Sequence, residues 1–174
     1  IDSLMVFTNK GQMYRLLVNN IPVGTNTTGG QSIKSLIAME TNEEPAIIYS
    51  IYRDTDAQYV LFVTKNGLVK KTSLEEYTKT KKKTGIAAIS LREGDELAAV
   101  SLIKDEQLVV MTANGMGIRF DSKEITPTSR STSGVKGIAL ADGDSVITAL
   151  PIRDTNDKVA VFAQNGLAKK FALA

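Results

Sequence analysis

Four basic residues of this chain share one register. Arg15, Lys71, Arg119 and Lys170 each stand four residues after a glycine (Gly11, Gly67, Gly115 and Gly166). Two of them have a basic neighbour on the N-terminal side, Lys70 and Lys169. Cations at a fixed position of a repeated unit suit a polyanion with its own regular charge spacing. One basic residue near a strand end is ordinary edge protection, but four in register point to a belt. Other chemistries are poorly supplied. The chain has no Cys and no His, so it lacks a thiolate nucleophile, an imidazole base and any Ser/His/Asp or Cys/His constellation. The carboxylates of "REGDE" (92–96) and "ADGDS" (141–145) lack the Asp-x-Asp-x-Asp spacing and distal Glu of a calcium loop. The five tyrosines sit in apolar or loop contexts and read as packing residues. The expectation is a binding domain with no catalytic residue, metal or cofactor.

Further cations lie between the phrases that carry this register. "SLEEYTKTKKKTG" brings Lys79, Lys81, Lys82 and Lys83 together just before Gly85, and "DSKEITPTSRSTSGVKG" places Arg130 and Lys136 around Gly134. The corresponding first segment, "VNNIPVGTNTTGGQSIK", has no cation until Lys34. Its Asn, Thr and Gly residues could still donate to phosphate oxygens without charge. Net charge is only +2, but it is uneven. Residues 1–56 hold 4 basic and 6 acidic side chains, 57–104 hold 9 and 5, 105–156 hold 5 and 7, and 157–174 hold 3 and 1. The second segment is the basic one.

The elements that must position these residues are repeated. "LMVFTNKGQMYRL", "VLFVTKNGLVKKT", "LVVMTANGMGIRF" and "VAVFAQNGLAKKF" are one phrase written four times, their glycines 56, 48 and 51 residues apart. A second phrase, "GIAAISLREGDELAAVSLI" from Gly85, returns as "GVKGIALADGDSVITALPI" from Gly134 at a constant offset of 49, with a looser version from Gly29 to Ile51. A period near 50 residues marks a repeat architecture. Apolar runs on either side of Asn-Gly predict a β-hairpin, since both residues tolerate positive φ. Gly94-Asp95 and Gly143-Asp144 predict a second hairpin in the second phrase. Two hairpins per repeat make a four-stranded antiparallel unit, and such units suggest blades around an axis; a β-sandwich is the competing arrangement. The runs 60–63, 108–111 and 159–162 are expected to fill the interior. Helix is expected only as one turn in "SLEEY", capped by Ser73.

The 174 residues, 43% hydrophobic and 23% charged, are enough for one domain with a core of its own. The repeats divide it as 1–56, 57–104, 105–156 and a half repeat, 157–174. No apolar run approaches a membrane span and no signal-peptide pattern opens the chain, so a cytoplasmic protein is expected. The start at Ile1 on a strand-like pattern suggests a fragment of a larger chain.

"VTKNGLVKKTSLEEY", "GIAAISLREGDEL", "IRFDSKEITPTSRSTSGVKGIALADGDSV" and "VFAQNGLAKKF" resemble the C-terminal domain of the bacterial type IIA topoisomerase A subunit, the family of DNA gyrase and topoisomerase IV. The resemblance covers essentially the whole chain. It implies an all-β pinwheel, six-bladed when complete and here a partial ring, whose blades exchange strands and bend double-stranded DNA around a basic outer rim. It also implies a bacterial, nucleoid-associated setting. Partners within an ATP-dependent topoisomerase would be the ATPase-bearing B subunit, together with the other domains of the A subunit. The "QRRGGKG"-type box of gyrase does not occur here. The first repeat looks most like the family's second blade, which would place the chain over blades two to five. The motifs do not separate gyrase from topoisomerase IV. On this reading Arg15, Lys34, Lys70, Lys71, Lys79, Lys81, Lys82, Lys83, Arg119, Arg130, Lys136, Lys169 and Lys170 are the candidate DNA-binding residues. The reading from a different class is a propeller-like protein-interaction module that does not bind DNA.

Overall fold

The computed structural model describes residues 2–52, 55–79, 84–154 and 156–173. Thirteen strands follow in order: β1 (Ser3–Thr8), β2 (Gln12–Leu17), β3 (Pro45–Ile51), β4 (Tyr59–Thr64), β5 (Leu68–Ser73), β6 (Ile86–Ala87), β7 (Leu97–Ile103), β8 (Gln107–Thr112), β9 (Gly117–Asp121), β10 (Val135–Lys136), β11 (Val146–Ile152), β12 (Lys158–Phe162) and β13 (Ala168–Ala172). The α-helices are single turns, α1 (Ile33–Leu36) and α2 (Glu75–Thr78). α2 falls where one turn was expected, but Leu74 is its N-cap and no side chain caps it.

The first phrase folds as a hairpin in all four copies: β1–β2, β4–β5, β8–β9 and β12–β13. Only the glycine takes positive φ, at 71° to 83° in the four turns, and no other residue type does so anywhere described. The turn is therefore not the doubly left-handed one expected of Asn-Gly. It is a Thr64–Gly67 type turn closed by Gly67 N–H on the Thr64 carbonyl at 3.0 Å, followed by the left-handed glycine. This explains why Lys10-Gly11 serves as well as Asn66-Gly67.

The second phrase is not a hairpin. Gly94 and Gly143 do make left-handed turns, but the two arms part. Leu97–Ile103 pairs with β4 of its own repeat, whereas Ile86–Ala87 pairs with β2 of the preceding one. Val135–Lys136 likewise joins β5. The sheets are β3-β1-β2-β6, β10-β5-β4-β7, β11-β8-β9 and β12-β13. Two of them reach four strands only by taking the outermost strand from the next repeat. Residues 158–172 form their own two-stranded sheet and add no strand to the third.

The hook for each borrowed strand is the turn glycine. Ala88 and Ile89 both donate to the Gly11 carbonyl, and Gly137 and Ile138 both donate to that of Gly67. A Cβ on Gly11 would lie 2.1 Å from the Ile89 oxygen, and one on Gly67 would lie 2.9 Å from that of Ile138. The other side of the Gly67 turn, and of the Gly115 turn, is pinned by an acid. Asp95 Oδ1 accepts from Asn66 N–H and Asp144 Oδ1 from Asn114 N–H, each at 3.0 Å.

Sheets stack face to face, so a central strand is buried on both sides and reads as a continuous apolar run. Val60 and Phe62 join Met5, Phe7 and Met13 on one side, while Leu61 and Val63 join Leu108 and Val110 on the other. Phe62 meets Phe7 edge-on at 5.3 Å. All four residues of 60–63 are buried, and so are Leu108, Val109 and Val110. The run 159–162 differs: Val159 is buried but Phe162 is 79% exposed, with no further sheet packed on β12–β13 among the described residues.

Gly11→Ala and Gly143→Ala separate docking from backbone strain. Both glycines have positive φ, but a Cβ at Gly143 would meet nothing within 4 Å. Gly143→Ala is expected to cost roughly 1–2 kcal/mol, and Gly11→Ala roughly 3 kcal/mol or more because the Ile89 carbonyl must also move. Urea unfolding of the two variants measures the difference.

Candidate nucleic-acid interface

The strand register sorts charge by place. The ends of the strands that carry the glycine turns hold, in loops 9–11, 40–44, 65–67, 92–96, 113–116, 141–145 and 163–167, three basic and eight acidic side chains. The opposite ends, Asp2 and loops 52–58, 104–106, 121–124 and 153–157, also hold three and eight among the described residues. Most of the remaining cations lie on the outer strands β2, β5, β9, β10 and β13 and on the connections from β5 to β6 and from β9 to β10, opposed by Glu75 and Glu76. Two acidic faces thus flank a basic edge.

The candidate residues fall into distinct settings along that edge. Lys136, on β10, Lys169 and Lys170, on β13, are exposed, with no ion pair among the described residues. Lys79 is exposed and pairs with Glu75 one helical turn away. Lys34 pairs with Glu44. Arg130 is half-buried, 3.6 Å from Glu76, with Nη1 donating to the Ala87 carbonyl at 3.4 Å. Arg15 and Arg119 are exposed but engage protein acceptors. Lys81, Lys82 and Lys83 lie outside the described residues.

Lys70 and Lys71 do not belong to an exposed belt. They are 1% and 4% exposed. Lys70 pairs across from Phe62 and shares its face, so its stem runs into the contact between the first and second sheets. Its ammonium donates to the Ala88 carbonyl at 2.5 Å and the Arg130 carbonyl at 2.9 Å, 5.1 Å from the centre of the Phe62 ring. Lys71, on the other face, donates to the Ser122 carbonyl at 2.7 Å and lies 4.8 Å from the Tyr59 ring centre. These lysines fasten the 86–89 arm of their own repeat and the 122–130 segment of the following one to the second sheet. Two adjacent lysines at a strand's edge gave no sign of this, because the covering segments come from residues 86–89 and 122–130. Burial pushes the Lys70 amine down to about 8, against the pull of Glu76 and with the push of Arg130. Burial also lowers Lys71, opposed by Asp105 and Asp121.

Sequence reasoning passed over Glu43. It is 1% exposed and accepts from Thr8 Oγ1 at 3.0 Å, from the Tyr14 hydroxyl and from Glu40 N–H at 3.2 Å. Burial and the Glu43 carboxylate raise the Tyr14 hydroxyl to about 12. Glu43 takes the place that Asp95 and Asp144 hold in later repeats, since its neighbour Glu44 accepts from Asn9 N–H as Glu96 does from Lys65 and Ser145 from Ala113. The shared signal was an acid preceding β3, β7 and β11. Among the described residues no group of three or more His, Cys, Asp or Glu side chains could hold a metal ion, and no helix is long and apolar enough to cross a membrane.

Stacked antiparallel sheets whose outer strands are lent by the following repeat define a strand-exchanging, propeller-like β domain. The chain belongs to the DNA gyrase C-terminal domain family: the family model, described as a beta-propeller, matches residues 2–44, 58–104 and 106–153. It is similar to the DNA gyrase A subunit of Lawsonia intracellularis (36% identical over 165 residues, 94% of this chain and 20% of that protein). It is also similar to the DNA gyrase A subunit of Helicobacter pylori strain J99 (36% over 171 residues, 97% of this chain and 21% of that protein). The chain thus spans about a fifth of the length of these curated relatives. Among solved structures it resembles the C-terminal domain of a DNA topoisomerase IV, with a TM-score of 0.85 and 32% identity over 99% of this chain and 54% of that one. A DNA gyrase A C-terminal domain shares the fold at a TM-score of 0.82 and 24% identity, covering 99% of this chain and 55% of that one.

The buried lysine gives stability a defined pH course. Its folded value, about 8, lies below the ordinary 10.5, so between these values the unfolded chain holds more protons and stability rises with pH. Above 10 the sign reverses, because burial raises both Tyr14 and Tyr77, whose protons the folded state retains. The urea midpoint is expected to climb from pH 8 towards 10 and then to fall. Lys70→Met should flatten the climb, leaving the smaller part due to Lys71.

Proposed function

We propose that this chain binds double-stranded DNA along its basic edge, contacting phosphates without reading sequence and bending the duplex across successive blades. The observation that carries this reading is the partition of charge. A polyanion is repelled by both acidic faces and attracted only by the edge between them. The edge offers flexible cations on strands and connections, and both α-helices are four-residue turns, too short to lie in a major groove. Phosphate contacts position a duplex and carry no sequence information. The relatives are subunits of DNA gyrase. In that setting the chain would be the non-catalytic, DNA-wrapping part of a type IIA topoisomerase A subunit. It would work beside the rest of that polypeptide, with the ATPase-bearing B subunit, in the bacterial cytoplasm on the nucleoid. The chain itself would neither cleave DNA nor use a cofactor.

Lys136 stands ready for phosphate, with Lys79 and Arg130 available by exchange from Glu75 and Glu76, and Lys169 and Lys170 would add to it where no following strand covers them. The lysines of "KTKKKTG" add charge to the same connection on sequence grounds. Lys70 and Lys71 would act indirectly, by holding that edge in place. Contact with about five phosphates gives a plot of log K against log salt with a slope near −4.5, and each phosphate contact removed lowers the slope by about 0.9. Lys136→Gln is expected to weaken binding and flatten the slope by about that amount, on duplexes of any sequence. Fluorescence anisotropy across a salt series measures both. Binding to a protein partner with little salt dependence, and none to DNA, would favour the interaction-module reading instead.

A further inference from the structure

In the first three hairpins the cation four residues after the turn glycine makes two contacts of one pattern, one to a side chain of its own hairpin and one to a backbone carbonyl of the following repeat. One contact is within its own hairpin, with the residue eight before the glycine. Arg15 Nε donates to Ser3 Oγ at 3.1 Å, Lys71 lies over the Tyr59 ring, and Arg119 Nε donates to Gln107 Oε1 at 2.6 Å. Register puts each pair on one face: Ser3 faces Leu17 while Arg15 faces Met5, two residues along, and the other two hairpins repeat this spacing. The second contact crosses to the following repeat. Arg15 Nη1 donates to the Thr78 carbonyl at 3.4 Å, Lys71 to the Ser122 carbonyl and Arg119 Nη1 to the Leu173 carbonyl. Ser122 and Leu173 are equivalent, each seven residues after its own turn glycine.

We infer that this cation is a tie between successive blades, and that Arg119 is a positioning residue that seats the fourth hairpin on the third sheet and thereby sets the curvature of the edge. The tie can be tested most directly there. The first and second sheets are also held to the next repeat by borrowed strands and by the doubly accepting carbonyls of Gly11 and Gly67. Among the described residues, β9 has no borrowed strand, and the Arg119–Leu173 bond is the hydrogen bond that joins the third sheet to β12–β13. A guanidinium spread over Gln107 and Leu173 is a poor phosphate contact until it gives up one of them. The tie itself is independent of the DNA reading; only its effect on curvature rests on that reading.

Two variants test it. Arg119→Gln removes the tie, and the double change Gln107→Tyr with Arg119→Lys transplants the Tyr59–Lys71 pair of the second repeat. In Arg119→Gln, amide exchange across β12 and β13 is expected to quicken about tenfold or more, the size of one charge-assisted hydrogen bond, with β4 and β5 unchanged. On an end-labelled duplex the salt slope should hold while energy transfer between the ends reports a smaller bend. The double variant should restore both readouts. Unchanged exchange in Arg119→Gln would overturn the tie, and a slope flattened by about 0.9 with exchange unchanged would make Arg119 a phosphate contact instead. If no form of the chain binds DNA, the reading of function fails while exchange still decides the tie.

Discussion

The carbonyl of a left-handed glycine is the constraint on which the rest of the structure depends. Gly11 and Gly67 each accept two consecutive amides from the repeat that follows. The glycine is required twice over: φ near +70° to +80° is costly for other residues, and the approaching Ile89 or Ile138 carbonyl occupies the space a Cβ would need. Once that hook exists, residues 86–87 and 135–136 can complete the sheet before their own. The connection from β5 to β6, and from β9 to β10, must then run outward and backward over the edge. Lys79 and Arg130 stand on these connections, and Lys136 lies on β10 where the second one ends. Placement of charge at the rim is thus a consequence of strand exchange, and strand exchange is a consequence of a backbone conformation.

Much of this was legible from spacing alone. The recurring glycines and apolar runs gave the repeat, the four hairpins and the buried strand 60–63, because these depend on contacts close in sequence. The second phrase was misread as a hairpin for the converse reason. Gly94-Asp95 does turn, but which strand each arm joins is settled by partners in two different repeats. The same non-locality hid the lysines. Lys70 and Lys71 look like a solvated strand edge until Ala88, Arg130 and Ser122 close over them. Glu43 escaped notice because its repeat lacks the Gly-Asp letters, although the carboxylate that Thr8 and Tyr14 require is still there.

Burying two ammonium groups on adjacent residues is expensive, and apolar side chains of similar length would fill the same volume at less cost. What Leu or Met could not do is donate to the Arg130 carbonyl, or give a second donor to those of Ala88 and Ser122, which also accept from the Tyr77 hydroxyl and from Ile125 N–H; all three belong to irregular segments crossing between sheets. Such segments cannot complete their hydrogen bonding within a ladder, and a buried carbonyl without a donor is costly. A long, flexible stem with three rotatable donors is well matched to them. The Phe62 and Tyr59 rings add attraction without demanding a counter-charge. The basic letters of this repeat therefore serve two ends, and burial distinguishes them. Where a following repeat lies over the strand, the cation secures backbone; on the outermost strand β10, Lys136 is left exposed. A belt of cations inferred from register is then partly a record of how blades are joined. On the DNA-binding proposal, the share left for phosphate would be set by how many of those cations the next repeat covers, so the affinity of the edge and the joining of the blades would draw on the same side chains.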